Sequence, residues 1–368
     1  MRWPGRVRLL ALLALAACGR DSSIVRVGIA VEPGWYPAVR LAQAELEDLP
    51  IQWFADSTSN VQVAASALDY AEWLASQRVA VIVGHSSSRG SVAASTVYGP
   101  RGIVQVAPVA TTRKLNSPSG RTFGLVPDDS VEGAYIAAFV DTALHARRVA
   151  VLYHQDEFGI GIRDGVVGEL DRRGIATVDE RYFSPEGAVG VSVDVSVLLA
   201  AALRSAPDAI ILGARIAETR EVAAYLRGHS LKIPVVCSDG SYVLPPHQEE
   251  RNLSDLEGFY IVRFWSPSRD SSASEFAERF RRRFGYVPDQ SDAFTYDAVK
   301  LVGAAVREGA RSPAGFSRAF GSTGLKGPSY AGVAGRYQFV NGRPREVRAE
   351  MTVVRGGVLQ PVGAAEPP

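Results

Sequence analysis

From residue 24 onward the chain alternates between two spacings of apolar positions. Short runs rich in Val, Ile and Ala begin at Val25 ("VRVGIAV"), Ile51 ("IQWFA"), Val79 ("VAVIVG") and Gly102 ("GIVQVA"). Further runs begin at Arg148 ("RVAVLY"), Ala176 ("ATVDERYF"), Asp208 ("DAIILGA") and Ile233 ("IPVVCS"). Between them lie longer stretches with apolar residues every three or four positions, at 37–49, 60–77, 130–146, 195–206, 217–229 and 292–309. Near-continuous apolar strands alternating with amphipathic helices predict parallel sheets covered on both faces. About four such units precede residue 145 and about four follow it, which fits two similar sub-domains better than one wide sheet. The end of the chain changes character. Asn341-Gly342 and Gly356-Gly357 are turn signals inside a strand-like segment and predict a closing hairpin. Residues 266–272 read as a loop or crossover, and 363–368 as a frayed tail.

The beginning also differs. Arg2, Arg6 and Arg8 precede the apolar run Leu9–Ala17, the pattern of a signal peptide over residues 1–17, too short to span a bilayer. It ends in "LAAC", residues 15–18, which resembles a bacterial lipobox. That resemblance makes Cys18 the lipid-modified mature N-terminus and places the protein in the cell envelope, lipid-anchored on the outer side of the inner membrane. The alternative is an ordinary signal peptide with an incidental cysteine. With Cys18 lipidated, only Cys237 remains, so no intramolecular disulfide forms.

Composition narrows the function. The 368 residues are 46% apolar and carry a net charge of +1. Loss of residues 1–17 leaves 37 basic against 39 acidic residues. No basic stripe is present, which argues against nucleic acid as a partner. The five histidines, at 85, 145, 154, 229 and 247, lack ligand spacing, so no metal and no cofactor is expected. Gly84 and Ser86 imitate a nucleophile elbow, but Ser88 stands where its second glycine belongs. "GIGIRDG" at 159–165 imitates a dinucleotide loop, but Asp164 takes the place of its third glycine. Both readings fail, and an enzyme is not expected.

What remains is the serine row, Ser86 to Ser88, between a strand and a helix. Ligands of open α/β sheets sit at strand ends, where helix N-terminal N–H groups attract anions. The row therefore suits a carboxylate, although serine also caps helices.

The stretch "GHSSSRGSVAASTVYGPRGIVQVAPVATTRKL" from Gly84 resembles the corresponding part of the branched-chain amino-acid-binding proteins, the type I periplasmic solute-binding proteins of ABC importers. "PDDSVEGAYIAAF", "VAVLYHQDEFGIG" and "AFTYDAVKLV" resemble later family segments, and the similarity spans residues 24 to 362. It implies a two-lobed α/β fold, each lobe a mostly parallel sheet flanked by helices, with three crossovers. The first lobe would take 24–141 and 268–341, the second 142–267 and 342–362. By position, the solute's α-carboxylate would fall to Ser88, the backbone of Val109 and Thr111, with Ser86 only a turn residue. Asp239, in the turn after a strand, would hold the ammonium; an Asp-Gly turn is the alternative. Phe158 matches a residue that closes over the solute, and Trp35 or Tyr36 an aromatic of the first loop. Arg215 departs from the family's aromatic at that place and would favour an anionic or polar ligand, unless it turns to solvent. The function implied is capture of an amino-acid-like solute for an ABC permease. A ligand sensor of the same fold is the alternative.

Overall fold

The computed structural model describes residues 24–56, 64–116, 121–183, 194–243, 252–321 and 329–362. Cys18 and the signal segment lie outside the described residues.

The first half of the chain runs β1 (Val25–Ala30), α1 (Tyr36–Ala44), β2 (Ile51–Ala55), α2 (Ala64–Ser76), β3 (Val81–Gly84), α3 (Ser88–Tyr98), β4 (Val104–Ala107) and β5 (Thr122–Gly124). These strands form one parallel sheet in the order β2-β1-β3-β4-β5. The runs of β1, β3 and β4 are buried on both faces and apolar apart from Arg26 and Gln105, as suits a sheet sandwiched between helix layers.

The chain then continues through α4 (Asp129–Thr142), β6 (Arg148–His154), α5 (Glu157–Arg172), β7 (Ala176–Phe183), α6 (Val195–Leu203), β8 (Ala209–Gly213), α7 (Ile216–Gly228), β9 (Val235–Cys237) and β10 (Tyr260–Arg263). It returns to the first sheet with α8 (Ser271–Phe284), α9 (Gln290–Arg307) and α10 (Pro313–Gly321). There the aromatic side chains of Phe276, Phe280, Phe294 and Phe316 join the core of β1, β3 and β4. Two short pairs follow, β11 (Tyr330–Ala331) with β12 (Arg336–Tyr337) and β13 (Phe339–Val340) with β14 (Arg343–Pro344). Finally β15 (Glu350–Arg355) and β16 (Val358–Pro361) cross back and add an antiparallel edge to the second sheet, whose order is β16-β15-β10-β9-β8-β6-β7. Both anticipated turns are present: Asn341-Gly342 joins β13 to β14, and Gly356-Gly357, both at positive φ, joins β15 to β16. The fold is thus the two-lobed α/β architecture with three connections between lobes.

Two strands of the large sheets have no counterpart in the apolar runs of the sequence. β5 (TFG) and β10 (YIVR) are three and four residues long, and each contains residues other than the Val, Ile, Ala, Cys, Gly and Gln that make up β3, β4 and β9. Two boundaries also differ. A limit between 341 and 342 cuts the β13–β14 pair, whereas Arg343 bonds first-lobe carbonyls and Val347 packs in the first lobe's core. A limit at residue 141 gives α4 to the first lobe, but Ile136, Ala137, Phe139 and Val140 are buried with Val149, Val151 and Ile162 of the second. Glycines make that packing close: a Cβ on Gly133 would collide with the backbone of Gly165 and Val166 on α5.

Candidate functional site

The C-terminal ends of β1, β3, β4, β8 and β9 converge on a cleft of about 410 Å³ between the two sheets. That volume is in the range of small-molecule sites. Glu32, Gly34, Trp35, Ser86, Ser87, Ser88 and Val109 line it from the first lobe. Phe158, Arg215, Ile216, Asp239, Gly240 and Val243 line it from the second.

Each serine has its own partner. Ser87 caps α3, its side chain accepting from the Gly90 N–H at 3.0 Å. Ser86 accepts from the Glu32 N–H at 2.7 Å and so ties the loop after β1 to the loop after β3. Ser88 Oγ accepts from the Thr112 N–H at 3.3 Å, joining the strand ends of β3 and β4. Its hydroxyl hydrogen stays available as a donor at the mouth of α3, beside the helix's first N–H groups.

Thr111 is displaced from the place the sequence suggests. It is buried, does not line the cleft, and lies with its hydroxyl against Asp129 at the start of α4. The backbone around it is held by Arg343, a buried arginine of β14. Its Nη1 donates to the carbonyls of Ala110 (2.7 Å) and Val126 (3.2 Å), its Nη2 to that of Thr112 (2.5 Å), and its Nε to Asn116 Oδ1 (2.7 Å). Arg343 thereby fixes the backbone of the loop that carries Thr111. Tyr36 is likewise outside the cleft; it is buried in the first lobe's core, its hydroxyl against that of Tyr70. Trp35 is the aromatic of that loop that lines the cleft.

On the second lobe, Asp156 caps α5 and accepts from the N–H groups of Phe158 (3.1 Å) and Gly159 (3.0 Å). Arg215, at the N-cap of α7, places Nη2 2.5 Å from Asp156 Oδ2 and lies over the Phe158 ring at 6.0 Å. Burial pushes the Asp156 carboxyl up, but the charge and hydrogen bond of Arg215 outweigh it and hold it below the usual range. Arg215 is thus paired through Nη2 while its side chain stays partly exposed at the cleft wall, and its Nη1 has no hydrogen-bond partner among the described residues. Phe158 is held close because Gly240 has no side chain: a Cβ there would meet the ring at 2.6 Å.

Asp239 follows β9 and lines the cleft, as the sequence suggests, but it is not alone. Its N–H donates to Glu132 Oε1 at 2.7 Å, which brings the two carboxyl groups together, and Asp129 stands in the first turn of the same helix as Glu132. All three are buried. Burial pushes Asp239 up to about 7 and Asp129 up to about 8; burial and the neighbouring Asp239 push Glu132 well above the ordinary range. Among the described residues no group of three His, Cys, Asp or Glu is arranged to hold a metal, and no helix is long and apolar enough to cross a membrane.

The profile of the periplasmic binding protein family matches residues 38–357. Among curated proteins, an amino acid binding protein of Pseudomonas aeruginosa is 23% identical over 235 residues, which are 63% of this chain and 61% of that protein. The match thus spans less than two thirds of that relative's length. A Leu/Ile/Val-binding protein homolog of Brucella abortus is 23% identical over 70% of this chain and 68% of its own. Among solved structures, a leucine-binding protein of Thermotoga maritima superimposes with a TM-score of 0.79 at 18% identity, covering 92% of this chain and 98% of that one. The chain belongs to the periplasmic binding protein family, with the type I fold of the branched-chain amino-acid-binding proteins.

Proposed function

We propose that this chain is a lipoprotein of the bacterial envelope, anchored through Cys18, that captures a small zwitterionic solute between its lobes and delivers it to an ABC permease. The observation that carries the reading is the polarity of the cleft. Ser88 and the N-terminus of α3 face it from the first lobe, and a buried carboxylate, Asp239, faces it from the second. A helix N-terminus suits a carboxylate, and a buried carboxylate suits an ammonium. An α-amino acid or a derivative carries both. Trp35, Val109, Phe158, Ile216 and Val243 line much of the rest, beside Glu32 and an Arg215 paired with Asp156, so the walls favour an apolar side chain over an anionic one. Ligand contacts from both lobes make closure depend on occupancy, which is how a permease distinguishes the loaded form.

Family membership and fold are those of binding proteins rather than enzymes. A thermal-shift screen of the protein against amino acids, small amides and carboxylates tests the reading, because a ligand that binds only the folded state raises its melting temperature. Stabilisation by α-amino acids and not by carboxylates alone supports it. Stabilisation by simple carboxylates and by no amino acid contradicts it.

A further inference from the structure

The carboxyl cluster behind Asp239 has more members than one ammonium requires. The Asp239 N–H donates to Glu132 Oε1 at 2.7 Å and brings the two carboxyl groups together, yet Asp239 Oδ1 and Glu132 Oε2 are both buried without a hydrogen-bond partner among the described residues. Asp239 is 5% exposed and lines the cleft; Glu132 is 0% exposed directly behind it. Three buried carboxylates cannot all be charged without compensation, because each would lose its hydration and repel the others.

The neighbouring elements supply little compensation. From α7, Arg215 is committed to Asp156 at 2.5 Å. From β10, Arg263 pairs with Glu350 on β15 at 2.7 Å. From β14, Arg343 acts on Asp128 and Asp129 but spends its donors on carbonyls and Asn116. α5 presents glycine: a Cβ on Gly161 would collide with the Asp129 carboxylate. Cys237, at the end of β9, is buried with its thiol pushed up by that burial, so it stays neutral.

We infer that Glu132 is a positioning residue held in its acid form against Asp239, and that a cationic group entering the cleft converts Asp239 to its carboxylate and expels one proton to solvent. The inference rests on the reading of Asp239 as the cation's partner. The proton balance is simple. In the empty cleft near neutrality Asp239 is partly protonated, and Glu132 donates its own proton to Asp239. The arriving cation stabilises the Asp239 carboxylate, and the proton that Asp239 carried leaves. Glu132 keeps its own. Because burial holds the empty-cleft Asp239 above the usual carboxylate range, affinity rises with pH through its titration, and the proton released per bound solute falls from about one below it to near zero above it.

Two measurements test it. Infrared difference spectra of the solute-free protein report protonated carboxyl groups directly. A carboxyl band that titrates between pH 6 and pH 8 and disappears in Asp239→Asn supports the inference; no such band overturns it. Calorimetry with L-leucine at pH 6, in two buffers of different ionisation heat, counts the protons released. About one per leucine supports the inference, and none overturns it. If L-leucine does not bind, the choice of solute fails, and the infrared titration, repeated with methylammonium chloride at pH 6.5, still decides: loss of the band supports the inference, an unchanged band overturns it. Glu132→Gln, which imitates the acid form, keeps leucine affinity within about threefold and keeps the pH profile, whereas Glu132→Ala weakens binding and shifts the profile. A tenfold loss in Glu132→Gln would mean that Glu132 acts as a carboxylate and would overturn its assigned role.

Discussion

Nη2 of Arg215 lies 2.5 Å from Oδ2 of Asp156, joining the first residues of two second-lobe helices at the wall of the cleft. Asp156 is almost wholly buried, and the guanidinium supplies most of what keeps it charged there. Arg215→Ala therefore leaves a buried carboxylate with its two capped N–H groups on Oδ1 but, for Oδ2, only His154 at 3.6 Å and Arg89 at 3.8 Å. The expected cost is about 2–3 kcal/mol of stability, less than for a fully buried pair because Arg215 is partly exposed. The double variant Arg215→Met with Asp156→Asn, which retains a capping side chain, recovers most of it. Denaturant titration of the three proteins checks this; equal stability of Arg215→Ala and the parent would mean that the pair is not holding the wall.

The serine row separates by role. Ser87→Ala removes the α3 cap and costs about 1 kcal/mol of stability. Ser88→Ala removes a hydroxyl that faces the cleft and weakens binding of an amino acid by roughly tenfold. Ser86→Ala loosens the loop at Glu32 and changes affinity by less than threefold. Calorimetry and melting curves on the three variants distinguish them; equal small losses in affinity would reduce the whole row to a cap.

Asp129 makes stability depend on pH in a defined direction. Its folded-state titration is raised to about 8 by burial, so the unfolded chain gives up this proton first as pH rises. The stability it contributes is complete below about pH 4 and falls by about 1.4 kcal/mol per pH unit until the folded-state value is passed. Asp129→Asn removes that slope and melts at a higher temperature than the parent at pH 7.5, with little difference at pH 4. Parallel melting curves across this range would contradict the buried, protonated Asp129.

The lobes also meet through charge outside the cleft. Arg89 of α3 and Lys114 reach Glu157 at the start of α5 at 3.9 and 3.7 Å. These are partly exposed pairs, worth about 0.5 kcal/mol each. Glu157→Lys reverses them, and small-angle scattering at low salt should show a larger radius of gyration for the solute-free variant. An unchanged radius would mean that these pairs do not bias the separation of the lobes.

Much of this was legible in the sequence, for local reasons. Strand runs, helix spacing and the two closing turns are set by neighbouring residues, and so was the position of Ser88 and Asp239 at strand ends. The misplaced residues were decided at long range. The resemblance gives Thr111 to the solute's carboxylate, whereas its side chain is buried outside the cleft lining, on a loop whose backbone is held by Arg343 more than two hundred residues away. Arg215 meets its partner Asp156 across 59 residues of chain. The glycine of Asp239-Gly240 reads as a turn former, whereas it is the approach of Phe158 that requires it. Asp129 and Glu132 read as ordinary acidic residues in the first turn of a helix, favoured there by the helix dipole. Only the fold reveals that they back Asp239.

The central claim is that one cleft holds a carboxylate at one end and an ammonium at the other. Calorimetry at pH 7.5 with L-leucine, with its oxo acid 4-methyl-2-oxopentanoate and with 3-methylbutylamine tests it most directly, since each analogue lacks one charged end. The account predicts that leucine binds and that each analogue binds at least tenfold more weakly, with Asp239→Asn reducing leucine binding by roughly ten- to a hundredfold and leaving the oxo acid unaffected. An oxo acid that binds as tightly as leucine, or an Asp239→Asn protein that binds leucine like the parent, would contradict it.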